Sequence, residues 1–143
     1  MFPASWSPRF LSLMRIVAAL NFFSHGAQKL FAWPVSEPQP VATAFTLFWL
    51  AGVIETFGGS LMLLGLLTRP VAFILAGEMA VAYFMNHAPG GFWPILNRGE
   101  LATVYCFIWL YIASAGPGPW SLDALLARRK IVSQAPRPAS APV

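Results

Sequence analysis

Four apolar segments, each near the roughly 20 residues that carry a helix across a hydrocarbon core, dictate what this chain can become: 9–31, 42–67, 70–87 and 99–115. Lipid offers backbone amides no hydrogen-bond partner, so such segments must satisfy themselves as helices. The stops between them are chemical. Pro34, Pro38 and Pro40 interrupt the first connection, and Thr68-Arg69-Pro70 makes a very short turn with Pro70 suited to a first helical turn. Pro89-Gly90-Gly91-Phe92-Trp93-Pro94 breaks the third connection, and Gly116-Pro117-Gly118-Pro119 ends the last span. Asn97 stands three residues before Glu100, the spacing of a capping box. The expected fold is all-α: a transmembrane four-helix bundle forming one domain over 1–126, with a basic and then disordered tail over 127–143.

Only 10% of the residues are charged, against about 25% in soluble domains, which places the chain in a membrane. Short-loop cations set its orientation. Arg9, Arg69, Arg128, Arg129, Lys130 and Arg137 fall on one side, and Lys29 and Arg98 lie toward the other. Both termini are therefore expected in the cytoplasm. Trp6 and Trp120 suit the inner interface, and Trp33 and Trp93 the outer one. Residues 121–130 suit a short interfacial helix with Leu122, Leu125 and Leu126 toward lipid. The basic residues form no groove-like patch, so no nucleic-acid partner is expected. The apolar run 16–23 is preceded by Arg15, is followed by His25 and Lys29, and lacks a small-residue cleavage site. It reads as an uncleaved helix rather than a signal peptide. One cysteine, Cys106, excludes an intramolecular disulfide, a CxxC pair, a Cys-ligated zinc and an iron–sulfur cluster. No internal repeat suggests an inverted-repeat transporter.

Against this background Arg15, Lys29, Glu55, Glu78 and Glu100 stand out, because a charge at mid-bilayer costs roughly 2.5–3.5 kcal/mol on insertion scales. At 100° per residue Arg15, Phe22, Gly26 and Lys29 share a stripe of the first helix. On the second, Glu55 shares a face with Ala51, Gly52, Gly58 and Gly59, small residues that let another backbone approach. On the fourth, Glu100, Thr103, Val104, Phe107, Tyr111 and Ser114 form the more polar face, expected to turn inward. Depth pairs Arg15 with Glu78 on the cytoplasmic side, and Lys29 with Glu100 or Glu55 toward the outer side. The first pair reads as structural. Glu55, among glycines at mid-depth, suits a ligand's polar group or a proton acceptor. His25 and His87 read as interfacial hydrogen-bonding histidines rather than metal or haem ligands, and Cys106 as a small packing residue.

The ordered motifs resemble the DoxX family of small four-helix membrane proteins. They are His25-Gly26-x-x-Lys29, Ala51-Gly52-x-x-Glu55-x-x-Gly58-Gly59, Gly65-x-x-Thr68-Arg69, Asn86-His87, Gly99-Glu100-x-Ala102-x-x-Tyr105 and Gly116-Pro117-Gly118-x-Trp120-Ser121-Leu122-Asp123. They span about 9–126. The resemblance implies a multi-pass protein of the bacterial inner membrane, similar to the small membrane subunit of thiosulfate:quinone oxidoreductase. Three functions follow as expectations. The first is a quinone-linked redox subunit, with His25, Lys29, Glu55 and Tyr111 lining a quinone or lipid pocket. Lys29, Glu55 and Glu100 would be its chemically active residues, with Phe22, Phe57 and Phe107 as further ring-stacking candidates. The second is a non-catalytic subunit packing on other membrane proteins or on copies of itself. The third is a carrier for a small solute or protons. No intrinsic cofactor, hydrolase-type nucleophile and base, or phosphate loop equips the chain as a standalone enzyme.

Overall fold

The computed structural model describes residues 2–34 and 40–134, which are helical with no strand among them. Helix α1 is Ser7–Phe31, α2 Leu47–Leu64 and α3 Thr68–Ala82. The α3 spiral widens into a π turn, Tyr83–His87, and ends in a tight turn, Ala88–Gly90. A single turn, α4 (Pro94–Asn97), precedes α5 (Glu100–Ala115), and α6 is Leu122–Gln134. The Pro/Ala/Ser-rich tail expected from residue 136 lies outside the described residues.

Three stretches are long and apolar enough to cross a membrane: Ala4–Phe31, Leu47–Leu64 and Thr68–Gly90. Helix α5 is apolar but has 16 residues, about 24 Å of rise against a hydrocarbon core of about 30 Å. Helix α1 packs along α2 and α3 along α5; narrower contacts of α2 with α3 and α1 with α5 join the pairs. Glycine explains the closeness of the first pair. A methyl group on Gly26 would sit 2.5 Å from the Thr56 amide nitrogen, and one on Gly59 would sit 2.8 Å from that of Phe23. The shared core contains Ala19, Phe22, Met62, Leu75, Trp109 and Ile112. Within it Phe22 meets Tyr105 and Trp109 edge-on, with ring centres 5.5 and 5.4 Å away.

The end of the molecule carrying the α2–α3 turn is closed by side chains on backbone. Arg15 is fully buried, yet among the described residues its guanidinium reaches no carboxylate within ion-pairing distance. It donates to the carbonyls of Met62 and Leu63 at the end of α2, and to those of Pro117 and Trp120 in the loop after α5. Unsatisfied carbonyls at a helix C-terminus carry partial negative charge, so this is a favourable seat for a cation. Asp123, from α6, accepts from the Leu67 and Thr68 amides at 3.0 and 2.9 Å and so caps α3. Arg69 donates to the last carbonyls of α5, those of Ala113 and Ser114. The turn itself needs Gly65, at φ +65°, where an L side chain is strained.

Three expectations are corrected here. The Arg15–Glu78 pair does not form: Arg15 donates four of its five N–H groups to carbonyls at the turn end, while Glu78 lines the cleft toward the other end. The polar face of α5 points outward: Glu100, Val104, Phe107, Tyr111 and Ser114 are exposed, while Ala102, Trp109 and Ile112 are buried. The capping box is also absent. The Asn97 side-chain oxygen accepts from the Gly99 amide at 2.8 Å, and Gly99 precedes α5 without a side-chain cap.

Candidate functional site

At the end opposite the turn, α2 and α3 part to leave a cleft of about 770 Å³. Its outer rims are apolar and exposed, Leu47 and Phe48 on α2 and Ile74 and Val81 on α3. Its walls are mostly apolar, but Lys29, Glu55 and Glu78 lie within it, with His25, His87 and Arg98 also lining it. An opening with greasy rims between two apolar helices faces lipid, so a hydrophobic molecule can enter sideways from the bilayer.

Each polar group is positioned by its element. Gly26 and Gly52 bring α1 and α2 together, and a methyl group on Gly52 would lie only 3.0 Å from Lys29 Cβ. That closeness sets Lys29 opposite Glu55, and Lys29 Nζ lies 2.6 Å from Glu55 Oε2. Glu55 is 3% exposed, so the pair is largely desolvated on the acid side. The ammonium also lies 5.3 Å from the centre of the Phe48 ring, a cation–π contact at the cleft rim. Of the two acids weighed for Lys29, it meets Glu55.

Glu78 approaches the same pair from α3. It stands ten residues after Thr68, and Glu55 stands nine residues before Leu64. The two acids are thus about 15 and 14 Å from the shared turn, at one depth. Helix α3 begins immediately at the turn, and this places Glu78 deeper than its position in the sequence suggests. Both Glu78 carboxyl oxygens are shut off from solvent and carry no hydrogen bond. Unsatisfied buried polar atoms are rare and cost about 1–3 kcal/mol each.

The π turn carries His87 to the cleft. Its Nδ1 lies 3.0 Å from the Asn97 carbonyl oxygen. A carbonyl can only accept, so Nδ1 bears the proton in this contact, and the tautomer it selects has Nε2 as its acceptor. Asn97 holds this strap together. Its side-chain nitrogen donates to the Gly91 carbonyl at 2.7 Å, and the Tyr83 hydroxyl donates to that of Phe92 at 2.8 Å.

The expected site residues divide. His25, Lys29 and Glu55 come together in the cleft, and Phe22 contributes to its wall. Glu100 is exposed at the start of α5 and does not line it. Tyr111 lies at the turn end of α5, against Ser7 and Phe10 of α1, a whole helix length away. Phe57 and Phe107 face outward. Glu78, His87, Arg98 and Tyr105 line the cleft without having been assigned to it from the sequence. The signals for His87 and Tyr105 were present in the Asn86-His87 and Gly99-Glu100-x-Ala102-x-x-Tyr105 motifs, and the sequence places Arg98 with Lys29 toward the outer side. No group of three or more His, Cys, Asp or Glu that would hold a metal occurs among the described residues.

A family model described as DoxX matches residues 10–88. An uncharacterised protein of Haemophilus influenzae is 43% identical over 122 residues, covering 82% of this chain and 91% of the relative. An uncharacterised membrane protein of Mycobacterium tuberculosis is 31% identical over 133 residues, 81% of this chain and 80% of the relative. No solved structure matches. The match includes α1, α2 and α3, and so every charged residue at the floor of the cleft.

Proposed function

The chain belongs to the DoxX family of membrane proteins, and from that premise and the cleft we propose that it is a quinone-linked redox subunit of a larger complex in the bacterial inner membrane. The four apolar helices cross as one bundle with both termini cytoplasmic, which puts the cleft in the outer half. One observation carries the reading: the cleft joins a lipid-facing, apolar opening to a floor holding an ion pair and an unpartnered acid. A ligand for such a site is apolar enough to live in the bilayer and has oxygen atoms on one ring. Quinones have that shape.

The residues present fit such a group. Lys29 keeps two further N–H donors beyond the one it gives Glu55, and these suit a ring oxygen. Arg98 adds donors nearer the mouth. Phe22 and Tyr105 offer flat apolar walls. A bound quinone supplies two-electron, two-proton capacity. The protein's share is to admit the ring from lipid, orient it on Lys29 and keep carboxyls within reach of its oxygens. With a single cysteine and no cysteine-ligated centre, the chain needs a partner subunit as its source or sink of electrons.

Purification in mild detergent followed by solvent extraction should recover sub- to equimolar quinone. A short-chain quinone should raise the unfolding temperature by a few degrees, and Lys29→Gln should reduce that shift severalfold. Absence of co-purified quinone together with no thermal shift would overturn the proposal.

A further inference from the structure

The cleft contains more acceptors than a fully oxidised ring can use. Glu55 has one oxygen engaged by Lys29. Both Glu78 oxygens lack any donor, and the His87 ring leaves Nε2 as an acceptor because Nδ1 serves the Asn97 carbonyl. A dione ring brings only acceptors. Lys29 and Arg98 can meet these, but Glu78 and His87 would stay unmatched. An anionic headgroup fares worse, since two carboxyls share the floor. What completes the site is a ring that accepts a hydrogen bond at one oxygen and donates an O–H at another.

We infer that Glu78 contacts the ligand directly, accepting a hydroxyl hydrogen bond, and that the cleft prefers the reduced, dihydroxy form of a quinone over the dione. The inference rests on the quinone reading above and adds a direction to it. Three placements support it. Glu78 lies at the depth of Glu55 on the opposite helix, its oxygens are unpartnered, and it shares a cleft wall with Ile74 and Ala82, where a ring sliding in from lipid would pass. Among the described residues neither oxygen has a hydrogen-bond partner to lose, so a hydroxyl arriving in the cleft would meet an acceptor that the fold leaves free.

The test measures binding of decylubiquinol and decylubiquinone to the full chain in detergent, anaerobically, by quenching of tryptophan fluorescence and by thermal shift. The native protein should favour the reduced form roughly tenfold, the upper end for one net hydrogen bond. Glu78→Met should bind both forms within about twofold while unfolding at the native temperature or above, because an apolar group replaces an unsatisfied one. Glu78→Gln, which keeps one acceptor oxygen, should fall between. Equal binding of the two forms by the native protein would overturn this inference and leave the quinone reading intact. Binding of neither form would overturn both. A Glu78→Met protein that fails to fold, or keeps the tenfold preference, would show that the carboxyl serves the fold or nothing, and would likewise overturn it.

Discussion

At the residue scale, this protein handles buried charge in two ways, and the difference separates support from site. Arg15 is held by backbone: four of its five N–H donors end on carbonyls of α2 and the loop after α5, and it lies far from the cleft. Lys29 is neutralised by a side chain, Glu55, with donors to spare and a cleft beside it. Removing one member of such a pair strands the other charge, so Lys29→Met should destabilise the protein by about 3 kcal/mol, the lower end for buried pairs because the lysine is partly exposed. Lys29→Met combined with Glu55→Leu should recover most of that loss. Denaturant unfolding of both single variants and the double variant in micelles supplies the coupling energy; additive effects would mean the 2.6 Å contact carries no weight. The sequence could not separate these two kinds of residue. Arg15 partners carbonyls, which have no signature in side-chain identity, so depth alone pointed wrongly to Glu78. Lys29 partners a carboxylate flanked by Gly52, Gly58 and Gly59, and that glycine face was visible as spacing.

At the element scale, the helices were legible because burial in lipid leaves composition little freedom and the proline and glycine stops fell where helices end, although only three of the four expected spans are long enough to cross. The inward face of α5 was not. Its core side is built from Ala102, Trp109 and Ile112, which any polarity-based reading assigns to lipid, while Thr103 satisfies its hydroxyl on the Gly99 carbonyl of its own helix at 3.0 Å. The element with the clearest separable energetics is the α3 start, capped from a distance by Asp123. Burial raises the Asp123 pKa, but the hydrogen bonds from Thr68 and Leu67 and the nearby Arg15 outweigh it, and the folded value lies below the ordinary 3.8. A depressed carboxylate stabilises the fold fully above the unfolded pKa, and that contribution fades as the pH falls through the folded one. Thermal unfolding between pH 6 and about pH 3 should therefore show a loss of stability below about pH 4. Asp123→Asn should be less stable at pH 6 by roughly 1 kcal/mol, as for a lost N-cap, and should show a shallower acid limb. An unchanged acid limb in the variant would assign the loss to other carboxyls.

At the scale of the whole molecule, the open question is how a 16-residue helix finishes a crossing. If α5 crosses as proposed, it supplies about 24 Å, and the strap before it would have to supply the remainder. Phe92, Trp93, Ile95 and Leu96 are all largely exposed, around the single turn of α4. A patch of four large apolar side chains in water would be a liability; in the headgroup layer it becomes an anchor, with Trp93 at the depth interfacial tryptophans favour. The strap then thickens the short side of the bundle and holds His87 and Arg98 over the mouth of the cleft. This arrangement requires α5 to cross, and so requires both ends of the chain on one side. The proposed orientation rests on the cations: Arg9, Arg69 and Arg128-Arg129-Lys130 belong to the turn end, and Lys29 and Arg98 to the end with the cleft. A green fluorescent protein fused after the last residue should fluoresce in cells, and alkaline phosphatase fused after Gly99 should be active. In the Cys106→Ala background, a cysteine at Gly90 should react with a membrane-impermeant maleimide from outside, whereas one at Arg128 should react only after the membrane is opened. Reaction of both positions from one side of intact cells would leave α5 lying along the bilayer. In that case Ala102 and Tyr105 would lose their place in the cleft wall, and the lateral entry proposed for the ligand would lose one of its sides.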